Sequence, residues 1–322
     1  MFFPQRLLPS LRRPAAAATA LLLCALFSVR GLAQATPSLG SAAQDPDGVV
    51  RRAVANHLAE EAAHKPLRFA LHRRDERHDI TREVIETPQG DVAIVVANHG
   101  APLSPNDRQS QIARLDNLAA HPDLQAHRQK REQEDNARID KLLRLLPDAF
   151  TYRYIDTEPC AVTDAPNISL PGESAPPPAT PSPANSCYRM SFTPNPDWDP
   201  PDTEGKILRG MAGEIWMEKS RERLFRLNAH LITDVDFGWG IVGRLNKGGT
   251  IYLEQTQLDT GEWQLTRMKL NLTGKLLMFK SITVQLSEEM GRFSAVPPNL
   301  DYREAIRMLK GSLPGGTSLA SQ

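Results

Sequence analysis

The C-terminal half of this chain is a run of β-forming segments separated by short turns, and that pattern limits the fold more than any other feature. Segments 206–219, 223–234, 235–245, 249–256, 263–272 and 275–286 are rich in β-branched and aromatic residues. Asn246-Lys247-Gly248-Gly249, Asp259-Thr260-Gly261 and Thr273-Gly274 have the composition of tight turns. Consecutive strands joined this way pair as an antiparallel meander. Upstream, Phe150, Tyr152 and Tyr154 alternate with Thr151 and Arg153, and Tyr188, Met190 and Phe192 alternate with Arg189 and Ser191. With a hairpin over 67–98, whose turn is Pro88-Gln89-Gly90, the count reaches about ten strands, more than a flat twisted sheet carries. The expected fold is α+β: a strongly curved antiparallel sheet, a half-barrel of about ten strands, with an N-terminal helix and a charged helical insert.

The helices are placed by their start signals. Asp45-Pro46 supplies a capping residue and a proline at the first helical position. Val50, Val54 and Leu58, with Ala53, His57 and Ala62, then form one stripe at helical spacing, while Arg51, Arg52, Glu60 and Glu61 are expected to face outward. The charged run 72–78 in the first strand marks a solvated face or a sheet edge. Residues 105–146 carry eight basic and seven acidic side chains, interspersed and divided at Pro122. Mixed charge at that spacing suits a solvated helical pair, expected as an arm or lid packed at its ends, with a coiled-coil partner site as the other reading. A short helix near 302–310 precedes a Gly/Ser tail.

Residues 1–35 have the form of an export signal: Arg6, Arg12 and Arg13 precede an apolar stretch over 15–27, and Ala33-Gln34-Ala35 is a small-x-small cleavage site. That stretch is short of the ~20 residues that span a bilayer. The expected division is a signal peptide over 1–35, a linker over 36–45, one domain over 46–310 with the insert 105–146 and a proline-rich loop 161–186, and a tail over 311–322. Cleavage after Ala35 leaves 34 basic residues against 38 acidic, a formal charge of −4. Such a balance gives no long-range attraction for nucleic acid. General secretory export to the periplasm or beyond is expected, with no transmembrane span after cleavage. The mature chain keeps Cys160 and Cys187, an even pair in a compartment that permits disulfides. A bridge between them closes a segment with seven prolines over 165–183; the alternative is two unpaired thiols.

Strand faces carry the functional information. Met268, Leu270 and Leu272 oppose Arg267, Lys269 and Asn271; in the next segment Leu276, Met278, Ile282, Val284 and Leu286 share one side, with Leu277 and Phe279 on the other. One side of the sheet is continuously apolar, so helices either plug it or leave part of it open to an apolar guest. In Phe237-Gly238-Trp239-Gly240-Ile241-Val242-Gly243 the glycines mark a bent strand, whose aromatics either pack a corner or line a pocket mouth. Trp216, Phe237, Trp239, Met268, Leu270, Met278 and Phe279 are the candidate ligand contacts. Asp234, Asp236 and His230 form a weak acid/base or metal set, and His72 and His78 stand too far apart to share an ion. There is no His-Glu-x-x-His, Gly-x-Ser-x-Gly or phosphate loop. Gly238-x-Gly240-x-x-Gly243 leads into a strand where a dinucleotide fingerprint needs a helix. No catalytic residue, metal site or cofactor is expected.

The run from Leu208-Arg209-Gly210 through Glu214-Ile215-Trp216-Met217-Glu218, followed by Leu224-Phe225-Arg226-Leu227, is similar to a "G-x-x-W-I-D … R-L" strand pair in a family of uncharacterised exported proteins of acidobacterial type. Asp236-Phe237-Gly238-Trp239-Gly240 and Leu276-Leu277-Met278-Phe279-Lys280 extend the likeness. The element order resembles the LolA/LolB-like lipoprotein-carrier superfamily. The resemblance covers about residues 45–286, and this chain exceeds a minimal carrier through the insert and the proline loop. It implies a half-barrel whose concave side, closed by helices, takes acyl chains. The expectation is a periplasmic non-enzymatic binding protein for a lipid or lipid-modified polypeptide. The alternative is an envelope protein–protein module with a filled core, recognising its partner through 105–146.

Overall fold

The computed structural model describes residues 43–161, 166, 168–171, 185–202, 205–237, 243–258, 260–276 and 280–313. Helix α1 (Pro46–Ala62) begins where Asp45 accepts a hydrogen bond from the Gly48 amide at 2.9 Å, and it buries Val49, Val50 and Ala53. Three strands follow rather than the two of a simple hairpin: β1 (Leu67–Asp75), β2 (Asp79–Ile85) and β3 (Val92–Asn98), with the short β4 (Ala101–Pro102) beyond. The extra reversal comes from Asp75, whose carboxylate accepts from the amides of Arg77 (2.9 Å) and His78 (3.0 Å). The charged run is therefore partly a turn.

The insert forms α2 (Pro105–Ala120) and α3 (Pro122–Ala149), divided at Pro122. Ser104 accepts from the Asp107 amide at 3.2 Å and caps α2. The remaining elements are β5 (Phe150–Pro159), β6 (Ser186–Pro194), α4 (Gly205–Arg209), β7 (Met211–Glu218), β8 (Arg223–Leu231), β9 (Val235–Phe237), β10 (Gly243–Leu245), β11 (Thr250–Gln257), β12 (Trp263–Leu276), β13 (Lys280–Ala295) and α5 (Tyr302–Gly311).

Three strand assignments change. The start of segment 206–219 is helical, capped where Asp202 accepts from the Gly205 amide at 2.8 Å. Segment 235–245 is two antiparallel strands, with Gly243 opposite Phe237. Thr273-Gly274 lies inside β12, and the reversal falls later, with Leu276 opposite Lys280. Gly274 is required there by close approach: an added Cβ would collide with the Arg244 carbonyl of β10.

The strands form one antiparallel sheet of 13, in the order β4-β3-β2-β1-β13-β12-β11-β8-β7-β6-β5, with β10 paired to β12 and to β9. The sheet is open, with β4 and β5 at its edges. Because β13 pairs with both β12 and β1, the N-terminal hairpins and the C-terminal meander share one ladder.

Side-chain alternation gives the sheet two faces with different covers. On one, Met211, Ile215, Ala229 and Leu231 pack against Val49, Val50 and Ala53 of α1 and Leu142, Leu145 and Leu146 of α3. On the other, Ile85, Val92, Ile94 and Val96 pack against Leu115 and Leu118 of α2 and Ala305, Ile306 and Leu309 of α5. Each such aliphatic side chain contributes about 1.5–3 kcal/mol by leaving water. The Cys160–Cys187 disulfide is present, with Cα atoms 5.2 Å apart.

Candidate functional site

The face covered by α1 and α3 is not filled throughout. Beyond the α1 core, towards β1, β2 and β13, lies a cavity of about 810 Å³, within the 300–1,000 Å³ usual for ligand sites. Register fixes its floor. Leu71 stands opposite both Met290 and Arg82, Arg73 opposite Glu288, and Phe69 opposite Val84, so these side chains share one face while Ile85 and Ile94 go to the other. A bulge near Arg68 and Ala70 brings Phe69 against Phe293, with ring centroids 5.6 Å apart. A second bulge, with Glu254 opposite Arg267 but Gln255 opposite Leu265, restores Gln255 and Leu265 to the cavity side. Phe69, Leu71, Leu265, Met290 and Phe293 are half-buried.

The roof comes from two helices. The C-terminal half of α1 brings His57, Glu60 and Glu61, followed by His64, and the middle of α3 brings Arg128, Arg131, Glu132 and Asp135. Helix α3 is anchored on both sides of that stretch. Gln125 and Gln129 donate to the carbonyls of Gln89 (2.9 Å) and Pro88 (2.8 Å), and its C-terminal leucines join the α1 core.

The α1 end of the cavity is charged and partly buried. Arg223 is 2 % exposed. Its Nη2 forms an ion pair with Glu60 Oε2 at 3.1 Å and donates to His57 Nδ1 at 3.4 Å. Burial, then the Arg223 charge, pulls the His57 imidazole down to about 4. Burial pushes the Glu61 carboxyl up to about 8, with Glu86 and Asp140 adding to the rise and His64 and Arg223 opposing it. Burial also lowers Arg223 from its ordinary value, and Arg221 adds repulsion. Glu288 is raised by burial although Arg73 Nη1 donates to it at 3.1 Å. Several residues that line this cavity carry buried polar atoms without a hydrogen-bond partner among the described residues, including Glu61 Oε1, Gln255 Oε1, and Nε and Nη1 of Arg223.

Of the seven contacts expected from sequence, the four among the described residues do not line this cavity. Met268 and Leu270 share the cavity face, but they are 4 % and 7 % exposed and pack with Leu286 in a closed cluster that does not line the cavity. Trp216 faces the opposite side of the sheet. Its indole donates to Glu158 at 2.5 Å, it packs with Cys187, Phe225 and Trp263, and the Arg226 guanidinium lies 5.5 Å from its ring. Phe237 packs against the α1 core. Trp239, Met278 and Phe279 lie outside the described residues. Asp234 and Asp236 both pair with Arg244. His72 pairs with Asp79 and His78 with Asp75.

Glu61 is turned inward, against expectation. It continues the stripe of Val50, Val54 and His57 at steps of four, three and four residues, and that spacing was the available signal. The alternation Phe69, Leu71, Arg73 was the signal for the floor, hidden by the charge density of 72–78.

Among the described residues no group of three or more His, Cys, Asp or Glu is arranged to hold a metal ion, and no helix is long and apolar enough to cross a membrane. Comparison with family models, curated proteins and solved structures finds no match to this chain.

Proposed function

We propose that this chain is an exported, non-enzymatic binding protein for a lipid or lipid-modified polypeptide, with the cavity under α1 and α3 as its site. The observation that carries the reading is the floor: five large apolar side chains left half-buried along one partly open cavity by the protein's own helices. Covering that surface with an acyl chain gains about 25 cal/mol per Å² of apolar area, in a pocket already formed. The register shifts in β1, β3, β5, β8 and β12 support the finer expectation of a strongly curved half-barrel of the LolA/LolB-like kind, because bulges bend and twist strands. The Cys160–Cys187 bridge supports secretory export after cleavage at Ala35, since such bonds persist in oxidising compartments.

Native mass spectrometry of protein purified from its own envelope tests the reading. A co-purifying lipid mass is expected. A clean apo mass together with a stoichiometric protein partner favours the alternative, an envelope interaction module.

A further inference from the structure

We infer that the cavity takes a flat, two-faced lipid: a fused-ring skeleton with hydroxyl groups along one side, whose apolar face lies on the strands and whose hydroxyls meet the helices. The inference rests on the reading of the cavity as an amphiphile site, and it narrows the ligand from lipids in general to those that are polar along one face rather than at one end.

The breadth of the floor comes first. Its apolar side chains come from four adjacent strands, β2, β1, β13 and β12: Val84, then Phe69 and Leu71, then Met290 and Phe293, then Leu265. Three strand spacings make that floor about 14 Å wide, several times the width of one extended hydrocarbon chain. A single acyl chain covers one track across it, whereas a fused-ring plate removes more of the same apolar area from water.

The polarity of the roof comes second. Both roofing helices change character along a single face where they leave the core. In α1, Val50 and Val54 belong to the core, while His57 and Glu61, next in the same stripe, line the cavity. In α3, Leu142 and Leu146 belong to the core, and Arg128, Arg131, Glu132 and Asp135 carry their stripe back towards the N-terminus and over the cavity. One wall is therefore apolar and the wall facing it is charged. A polymethylene chain, apolar on every side, dehydrates polar groups it cannot hydrogen-bond. A plate with hydroxyls along one side satisfies both walls.

The mixture of charge decides which polar group. Eight acidic side chains and six arginines line the cavity, a balance that favours no formal charge of either sign and suits groups that both donate and accept. Two lining acceptors, Glu61 Oε1 and Gln255 Oε1, have no partner among the described residues, and Gln255 is 9 % exposed. An acceptor buried without a donor is costly, and a ligand hydroxyl supplies the donor. Burial holds the Glu61 proton up to about 8, so at neutral pH this side chain is itself an uncharged partner for a hydroxyl.

Calorimetric titration of the purified protein with cholate, cholanate and dodecan-1-ol tests this, each below its aggregation limit. Cholanate has the ring skeleton and carboxylate of cholate without its facial hydroxyls, so apolar burial alone makes it the tighter ligand. The two-faced cavity predicts the reverse, with cholate bound at least about tenfold more tightly than cholanate and more tightly than dodecan-1-ol. Replacing Arg131 and Asp135 together by leucine leaves the net charge unchanged and turns that part of the roof apolar. It is expected to reverse the order, weakening cholate and tightening cholanate, with thermal unfolding confirming that the protein is folded. Cholanate bound as tightly as cholate by the parent protein, or an unchanged order in the folded double variant, overturns the two-faced assignment; binding of dodecan-1-ol then leaves the amphiphile reading intact. Binding of none of the three removes the amphiphile reading itself.

Discussion

His57 and Glu61 sit one turn apart on α1, and burial displaces them in opposite senses. Glu61 keeps its proton up to about 8 in the fold against an ordinary 4.5, so between those values the unfolded chain has released a proton that the native state holds. Stability falls as pH rises across that window. His57 protonates in the fold only near 4 against an ordinary 6.5; there the unfolded chain holds the extra proton and stability rises with pH. The two slopes oppose each other up to about 6.5, and above it Glu61 acts without His57. Urea unfolding is expected to show little change in stability between about pH 5 and 6 and a fall between about 6.5 and 8. Glu61→Gln should remove the fall and raise stability at pH 7 by about 1–2 kcal/mol. A fall of the same size in Glu61→Gln contradicts the assignment. At this scale the sequence showed which residue types were available but misjudged direction: Glu61 reads as surface by type and as buried by spacing, and spacing decides.

Elements were more legible than side chains, because their boundaries rest on local chemistry. Asp45-Pro46, Ser104-Pro105 and Pro122 fix where α1, α2 and α3 begin. The errors came where a local signal had two uses. Gly274 reads as half of a turn but serves to let the β10 backbone approach; Asp75 reads as strand charge but organises a reversal. The disulfide was legible from cysteine count and compartment, and its effect belongs to this scale. It ties β5 to β6 across a sequence separation of 27, which restricts the unfolded chain by about 3–4 kcal/mol. Cys160 and Cys187 replaced together by serine should lower the urea unfolding free energy by that amount. An unchanged value contradicts a structural role for the bridge.

At the scale of the whole molecule, β13 joins the two ends of the chain into one sheet and places the cavity where they meet. The apolar face was legible in the sequence; the place where it stays uncovered was not. Packing closes Met268, Leu270 and Leu286, while α1 ends before it reaches β1 and α3 passes over Phe69, Leu71 and Met290 with charged residues. That gap depends on helix lengths and on pairing between residues more than two hundred positions apart, such as Leu71 with Met290, and no local pattern encodes it. The most direct test fills the gap. Leu71→Trp places an indole over the floor, and titration with dodecanoate and dodecan-1-ol should show both losing at least about tenfold in affinity while thermal unfolding stays within a few degrees of the parent protein. Undiminished binding of both by a folded Leu71→Trp protein contradicts the account, since the guest then sits somewhere other than this cavity.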